Sequence, residues 1–151
     1  MIYNIDKEEN MINEFQGKYR FLSNFYPCTV IYENIEYPSS EHAYQAAKTL
    51  DKNIRREISL LDSPGKAKRY WKNKQIRNDW QNVSLKIMLD IVRIKFKSNI
   101  MLAEWLKHTN NQELIEGNNW NDTFWGMCNR VGENHLGKIL MQVRSEIDYI
   151  K

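Results

Sequence analysis

The chain has 151 residues, a net charge of +3, 42% hydrophobic residues and 27% charged residues, which excludes a disordered tail, a collagen and a coiled-coil rod. A chain this long hides about 70% of its unfolded surface, enough for one real core. No apolar run approaches the ~18 residues that cross a bilayer, and Met1 to Asn10 is polar with no apolar leader core, so a cytoplasmic protein of one domain over 1–151 is expected. The two cysteines, Cys28 and Cys128, are too few for a disulfide framework or a zinc site and read as buried free thiols.

In chain order, Pro27 to Tyr37 is β-branched and aromatic on either side of Glu33-Asn34, the signature of a short hairpin whose Asn tolerates a left-handed turn. Ser39 or Ser40 then caps a helix from about Glu41 to Leu50, and Ser63-Pro64 opens another. Over Val83 to Lys97, Leu85, Met88, Leu89, Val92 and Phe96 share one face and Ile87, Ile91 and Ile94 nearly the opposite one, leaving Lys86, Asp90, Arg93 and Lys97 as a polar stripe. That pattern predicts a central helix packed on both sides. Further helices are expected over Met101 to Lys107, Gln112 to Glu116 and Leu136 to Ile147. The sum is a mainly α, multihelical domain with a small N-terminal β-hairpin.

Charge and aromatic residues are unevenly used. Between Lys52 and Arg77 nine basic residues face two acids, a net +7, which suits a phosphate-bearing partner or a solvated helical surface. Five Trp, eight Tyr and five Phe accompany a mean hydropathy of −0.69. Of these, Phe96, Trp105 and Tyr70 are core candidates, whereas Phe25, Tyr44, Trp80 and Trp125 lie beside carboxylates, amides and basic groups, as the wall of a nucleotide-like pocket would.

Three constellations could carry chemistry. Glu41, Gln45 and Lys48 fall within about 60° on one helical face with Tyr44 alongside, while Ala43, Ala47 and Leu50 fall opposite. This face is either a solvated stripe matched to the helix dipole or a site; His42 lies off it, as a packed or capping histidine does. Glu116 to Gly126, followed by Gly132 to Gly137, mixes carboxylates, amides, indoles and glycines without a period. It is a site loop or a well-satisfied turn region with Trp120 and Trp125 as core plugs. In Arg77-Asn78-Asp79-Trp80 a guanidinium three residues before an indole suits a phosphate and a stacked base if both are helical.

Phe21-Leu22-Ser23-Asn24-Phe25, Ser40 to Lys48, Arg77 to Trp80, Asn121 to Gly126, Asn134 to Gly137 and Leu140 to Arg144 occur in that order. In order and spacing, over residues 15–148, they resemble the NADAR (YbiA-like) family. The resemblance implies a multihelical fold and hydrolysis of N-glycosidic bonds, on phosphoribosylamino-pyrimidine intermediates of riboflavin synthesis or on ADP-ribose attached to guanine. It matches Glu41 to the family's essential acid, Lys48 to its motif lysine, Trp80 to its functional tryptophan, and Asp122 with Trp125-Gly126 to its second acidic motif. Trp71-Lys72, Thr49 and the loop from Met127 to Val131 depart from the family pattern, at the phosphate end and the leaving-group pocket.

Cleaving a ribosyl C1–N bond creates an oxocarbenium-like centre that needs nearby negative charge and a proton for the leaving nitrogen. Glu41 and Asp122 are the expected acid/base and electrostatic groups. Lys48 is expected either to attack the ribosyl carbon as a Schiff-base amine or to bind phosphate or pair with Glu41. Trp80 and Trp125 would wall the base, with Tyr44 and Phe25 nearby; Ser23 and Asn24 would reach ribose, Arg77 a phosphate, and Gly126 and Asn134 would complete the substrate-binding set. The expected partner is a nucleotide-like small molecule or ADP-ribosylated nucleic acid, with a toxin partner left open and no membrane, metal or cofactor. A non-catalytic nucleic-acid or ADP-ribose binding module is the alternative, in keeping with a sequence pI of about 8.8 and interleaved Trp and Arg.

Overall fold

The computed structural model describes residues 10–148, so all of the polar Met1 to Asn10 stretch except Asn10 lies outside the described residues. The chain is described as two compact units: Asn24–Ser98, and a second made of the segments before Asn24 and after Ser98. Helices dominate both, and the β elements are short.

In the Asn24–Ser98 unit, strands β2 (Val30–Tyr32) and β3 (Ile35–Tyr37) pair antiparallel with Val30 opposite Tyr37. Glu33 and Asn34 both take positive φ, 47° and 69°, as a tight two-residue turn requires. Val30, Tyr32, Ile35 and Tyr37 point into the core while Ile31 and Glu36 face out. Helix α1 (Ser40–Ala46) follows, its cap Ser39 accepting the His42 amide at 3.1 Å. Helices α2 (Lys52–Ser59) and α3 (Pro64–Arg69) are capped by Asp51 and Ser63, the latter with Pro64 in the first turn. Helix α4 (Trp80–Lys97) completes the unit. Helix α1 packs against α2, α3, α4 and the hairpin, and every one of its seven residues is buried.

Two expectations change here. Helix α1 ends at Ala46 rather than Leu50, which is 69% exposed. The cause is tertiary: a helix leaves its last carbonyls unpaired, and here distant donors take them. Trp71 Nε1 donates to the Gln45 carbonyl at 2.8 Å, the Arg77 amide to that of Lys48 at 2.8 Å, and Arg55 Nε to that of Thr49 at 2.8 Å. In α4, Ile87, Met88, Ile91, Val92 and Phe96 are buried as expected, but Leu85 is 42% exposed, and the buried arc includes Lys95.

In the other unit, strand β1 (Met11–Ile12) pairs in parallel with β4 (Glu113–Leu114). The expected Gln112 to Glu116 helix does not form, because the Glu113 and Ile115 amides donate instead to the Asn10 and Ile12 carbonyls, both at 2.8 Å. A 3₁₀ turn over Gly17–Leu22 buries Phe21 and Leu22, and α5 (Ile100–Lys107) buries Leu102 and Leu106. Trp105, expected in the core, is 40% exposed and meets Phe21 edge-on. Strands β5 (Gly117–Asn118) and β6 (Met127–Cys128) form a second parallel pair. Helix α6 (His135–Asp148) buries the predicted stripe Leu136, Ile139, Leu140, Val143 and Ile147, and Arg144 ties it to the Thr109 hydroxyl and the Gln112 carbonyl.

No helix among the described residues is long and apolar enough to cross a membrane. Both cysteines are free, Cys128 buried and Cys28 half-buried.

Candidate functional site

The Glu41, Gln45 and Lys48 face is not a solvated stripe. Glu41 is 7% exposed and Gln45 4%, and Gln45 Nε2 donates to Glu41 Oε1 at 2.9 Å. Asn24 braces the start of this helix: its carbonyl accepts the Glu41 amide at 3.0 Å, and its side-chain oxygen accepts the Ser40 hydroxyl at 3.0 Å. Its amide nitrogen contacts Met88 Sδ at 3.4 Å, so the Asn24 side chain is engaged within the protein.

Because α1 stops early, Lys48 reaches the site from the turn after it and not from a third helical turn. Its ammonium lies 5.4 Å from the Tyr44 ring centroid and 5.8 Å from that of Trp80, cation–π distances. Those two rings pack at 5.1 Å with a 56° tilt. Burial pulls the Lys48 amine below the usual lysine range, and the Glu41 charge partly opposes this. The result is an enclosed carboxylate, an amide, a softened amine and an aromatic wall, which suits a polar ligand carrying a planar group.

Other expected site residues are largely committed to the protein. Arg77 precedes α4 instead of lying on it, and its fork grips Asp79 at 2.6 and 2.9 Å. His42 is a packed histidine: Nδ1 lies 2.6 Å from Ser39 Oγ and Nε2 3.0 Å from the Leu61 carbonyl oxygen, and burial holds its basicity below the usual range. Phe25 is half-buried with the Lys68 ammonium 5.9 Å from its centroid. Of the nine basic residues from Lys52 to Arg77, Arg55 is buried and Arg77 half-buried, while the other seven are exposed.

The second unit carries Ser23, Asp122, Trp125, Gly126 and Asn134. Ser23 is half-buried, its amide donating to the Arg20 carbonyl. Asp122 Oδ1 accepts the Phe124 and Trp125 amides at 3.1 and 2.9 Å, so this carboxylate shapes the Trp125 turn. Asn118 spans the loop, donating to Glu116 Oε2 and the Asp122 carbonyl while accepting the Asp122 amide. A Cβ at Gly126 would overlap Glu116. Asn134, at φ 53°, accepts the Glu116 amide and donates to the Leu114 carbonyl. Trp125 is half-buried with Phe124 4.9 Å away, whereas Trp120 is 53% exposed and plugs no core.

Sequence reasoning missed three residues. Trp71 anchors the end of α1 through Gln45; only its departure from the family pattern marked it. Arg55 is 3% exposed, donates to Glu33 at 3.0 Å and lies against Tyr32. Lys95 is 1% exposed, and its place one turn from Ile91 and Val92 on the apolar stripe was the available signal. Among the described residues no group of three His, Cys, Asp or Glu side chains is arranged to hold a metal ion. An open concavity of about 510 Å³ beside Asp90, Arg93 and Lys97 shares no residue with the Glu41 cluster.

A mainly helical scaffold holding a buried carboxylate–amide pair beside a softened amine defines the class of site, and residues 11–148 match the NADAR domain. The chain belongs to the NADAR domain family. It is 33% identical over 145 residues to N-glycosidase YbiA of Escherichia coli, covering 93% of this chain and 90% of that protein. It is 37% identical over 147 residues to a riboflavin biosynthesis protein of Vibrio vulnificus, covering 95% of this chain but 40% of that longer protein. The NMR structure of Escherichia coli YbiA superposes with a TM-score of 0.82 at 32% identity, covering 92% of this chain and 85% of that one.

Proposed function

We propose that this protein is an N-glycosidase that hydrolyses a ribosyl C1–N bond in a nucleotide-like substrate, either ADP-ribose on guanine or a phosphoribosylamino-pyrimidine intermediate of riboflavin synthesis. The observation that carries the reading is the enclosed Glu41 carboxylate, held by Gln45 beside the half-buried Lys48 amine and the Tyr44–Trp80 pair. The N-glycosidase name of the Escherichia coli relative supports the reaction class, and the Vibrio vulnificus name supports the riboflavin branch.

In this reading Glu41 stabilises the cationic C1 and orients the attacking water. Water adds its oxygen to C1, the C1–N bond breaks, and the leaving nitrogen takes up a proton. For Lys48 we propose a covalent variant, which its lowered basicity supports. As the neutral amine it bonds to C1 while the base departs, ring opening gives an imine, and water releases the sugar and regenerates the amine. Tyr44 and Trp80 wall the base. Asp122, whose Oδ1 accepts the Phe124 and Trp125 amides, serves by shaping the turn that carries Trp125. Asn24, Arg77, Gly126 and Asn134 serve by bracing these loops, consistent with their bonds.

The test offers wild type and Glu41→Gln an ADP-ribosylated guanine oligonucleotide and the phosphoribosylamino-pyrimidine. Wild type should release ADP-ribose or ribose 5-phosphate, and the variant should be slower by ~10²–10⁴-fold while remaining folded. A folded wild type that cleaves neither substrate refutes the reading. If it instead binds the oligonucleotide with steep salt dependence and Glu41→Gln binds equally well, a non-catalytic nucleic-acid module is supported.

A further inference from the structure

Gln45 is pinned from every side but one. Its backbone carbonyl takes the Trp71 indole and the Lys48 amide at 2.8 and 3.2 Å, and its side-chain nitrogen donates to Glu41 at 2.9 Å. Its side-chain oxygen is buried and has no hydrogen-bond partner among the described residues, although the residue is only 4% exposed. Leaving a buried acceptor unpaired costs stability, and native proteins seldom do so without a reason. Rotating the amide by half a turn offers no escape. A carboxylate that serves a cationic centre works ionised, and an ionised carboxylate only accepts hydrogen bonds. The nitrogen therefore faces Glu41, and the oxygen is left with no donor among the described residues.

The position of a ligand's donor follows from the chemistry of the neighbour. If Glu41 serves C1, as the proposed glycosidase reading on which this inference rests requires, an acceptor on the residue bonded to Glu41 falls beside the substituents next to C1. On a ribosyl unit that donor is the 2-hydroxyl, and hydrogen bonds there strengthen as positive charge develops at C1. We infer that Gln45 is a specificity-determining residue whose Oε1 accepts a hydrogen bond from the 2-hydroxyl of the bound ribosyl unit, while its Nε2 holds Glu41 in place. The site thereby selects ribosides over 2-deoxyribosides, because a 2-deoxy sugar leaves Oε1 buried and unpaired. Both proposed substrate classes contain a ribose 5-phosphate unit, so the selection does not depend on which of them is used.

The experiment measures by calorimetry the Kd of ribose 5-phosphate and of 2-deoxyribose 5-phosphate for wild type and Gln45→Met. Wild type should prefer the ribose compound by about tenfold or more, since one hydrogen bond of about 1.4 kcal/mol is a factor of ten. Gln45→Met, which has no acceptor oxygen, should bind the two with a ratio near one. Equal binding by wild type, failure of wild type to bind either sugar, or a wild-type ratio in Gln45→Met would each overturn the assignment. Turnover of wild type on the ADP-ribosylated oligonucleotide and the phosphoribosylamino-pyrimidine is read in parallel. Turnover with an unchanged ratio overturns the role of Gln45 and leaves the glycosidase reading standing. A collapsed ratio without turnover on either does the opposite.

Discussion

Lys95 offers a prediction that needs no substrate. It lies on α4 one turn past Ile91 and Val92, is 1% exposed, and has the Phe96 and Tyr26 ring centroids 5.1 and 6.0 Å from its nitrogen. Burial pushes the amine from 10.5 down to about 8, with nearby Cys28 acting in the opposite direction. The gap of about 2.5 pH units, at about 1.4 kcal/mol each, means that the charged amine subtracts about 3 kcal/mol from stability at pH 7. Between pH 8 and 10.5 the unfolded chain holds more of this proton than the folded one, so this contribution makes stability rise with pH across that window. Lys95→Met keeps the length and removes the charge. It should be more stable than wild type at pH 7 by up to about 3 kcal/mol, with the advantage shrinking towards pH 10. Urea unfolding at pH 7, 8, 9 and 10 checks this. The thiol of Cys28 and the phenols of Tyr32 and Tyr37 are pushed upward and bend both curves at alkaline pH, so the difference between the proteins is the informative quantity. Parallel curves, or a variant less stable than wild type at pH 7, would refute the reasoning.

Three further outcomes are expected. If Lys48 acts covalently, borohydride added during turnover should trap a sugar adduct on Lys48, with trapping already efficient below the usual lysine range because burial favours the neutral amine; Lys48→Arg should abolish the adduct and most activity, whereas a phosphate-binding or pairing role would leave appreciable activity. Gly126→Ala should lower the melting temperature markedly, by roughly 2–4 °C per kcal/mol for a chain of this size, because the added Cβ meets the Glu116 backbone as well as its side chain. Ser63→Ala should cost about 1 kcal/mol in urea unfolding, since it removes the side-chain cap on the Lys66 amide at 3.1 Å.

The parts legible from residues alone are those decided within a few positions of the chain. Glu33-Asn34 makes its turn because both residues accept positive φ, Ser63 caps because its hydroxyl reaches an amide three residues on, and the α6 stripe is buried because helical spacing puts Leu136, Ile139, Leu140 and Val143 on one side. The motif from Ser40 to Lys48 likewise marked Glu41, Tyr44 and Lys48, and that from Arg77 to Trp80 marked Trp80; Tyr44, Lys48 and Trp80 form one cation–aromatic group. Tertiary structure decided what depends on distant partners. Trp71, Arg77 and Arg55 take the carbonyls where α1 would have continued, so Lys48 arrives on a turn. The pairing of Glu113–Leu114 with Met11–Ile12 overrides a local helical pattern. The orphaned acceptor of Gln45 and the buried charge of Lys95 exist only once other elements have excluded water from them. A local pattern specifies φ, ψ and the face a residue takes, whereas burial and hydrogen-bond satisfaction belong to the folded chain, and it is these that set the reactivity of the amine and the selectivity proposed for the amide.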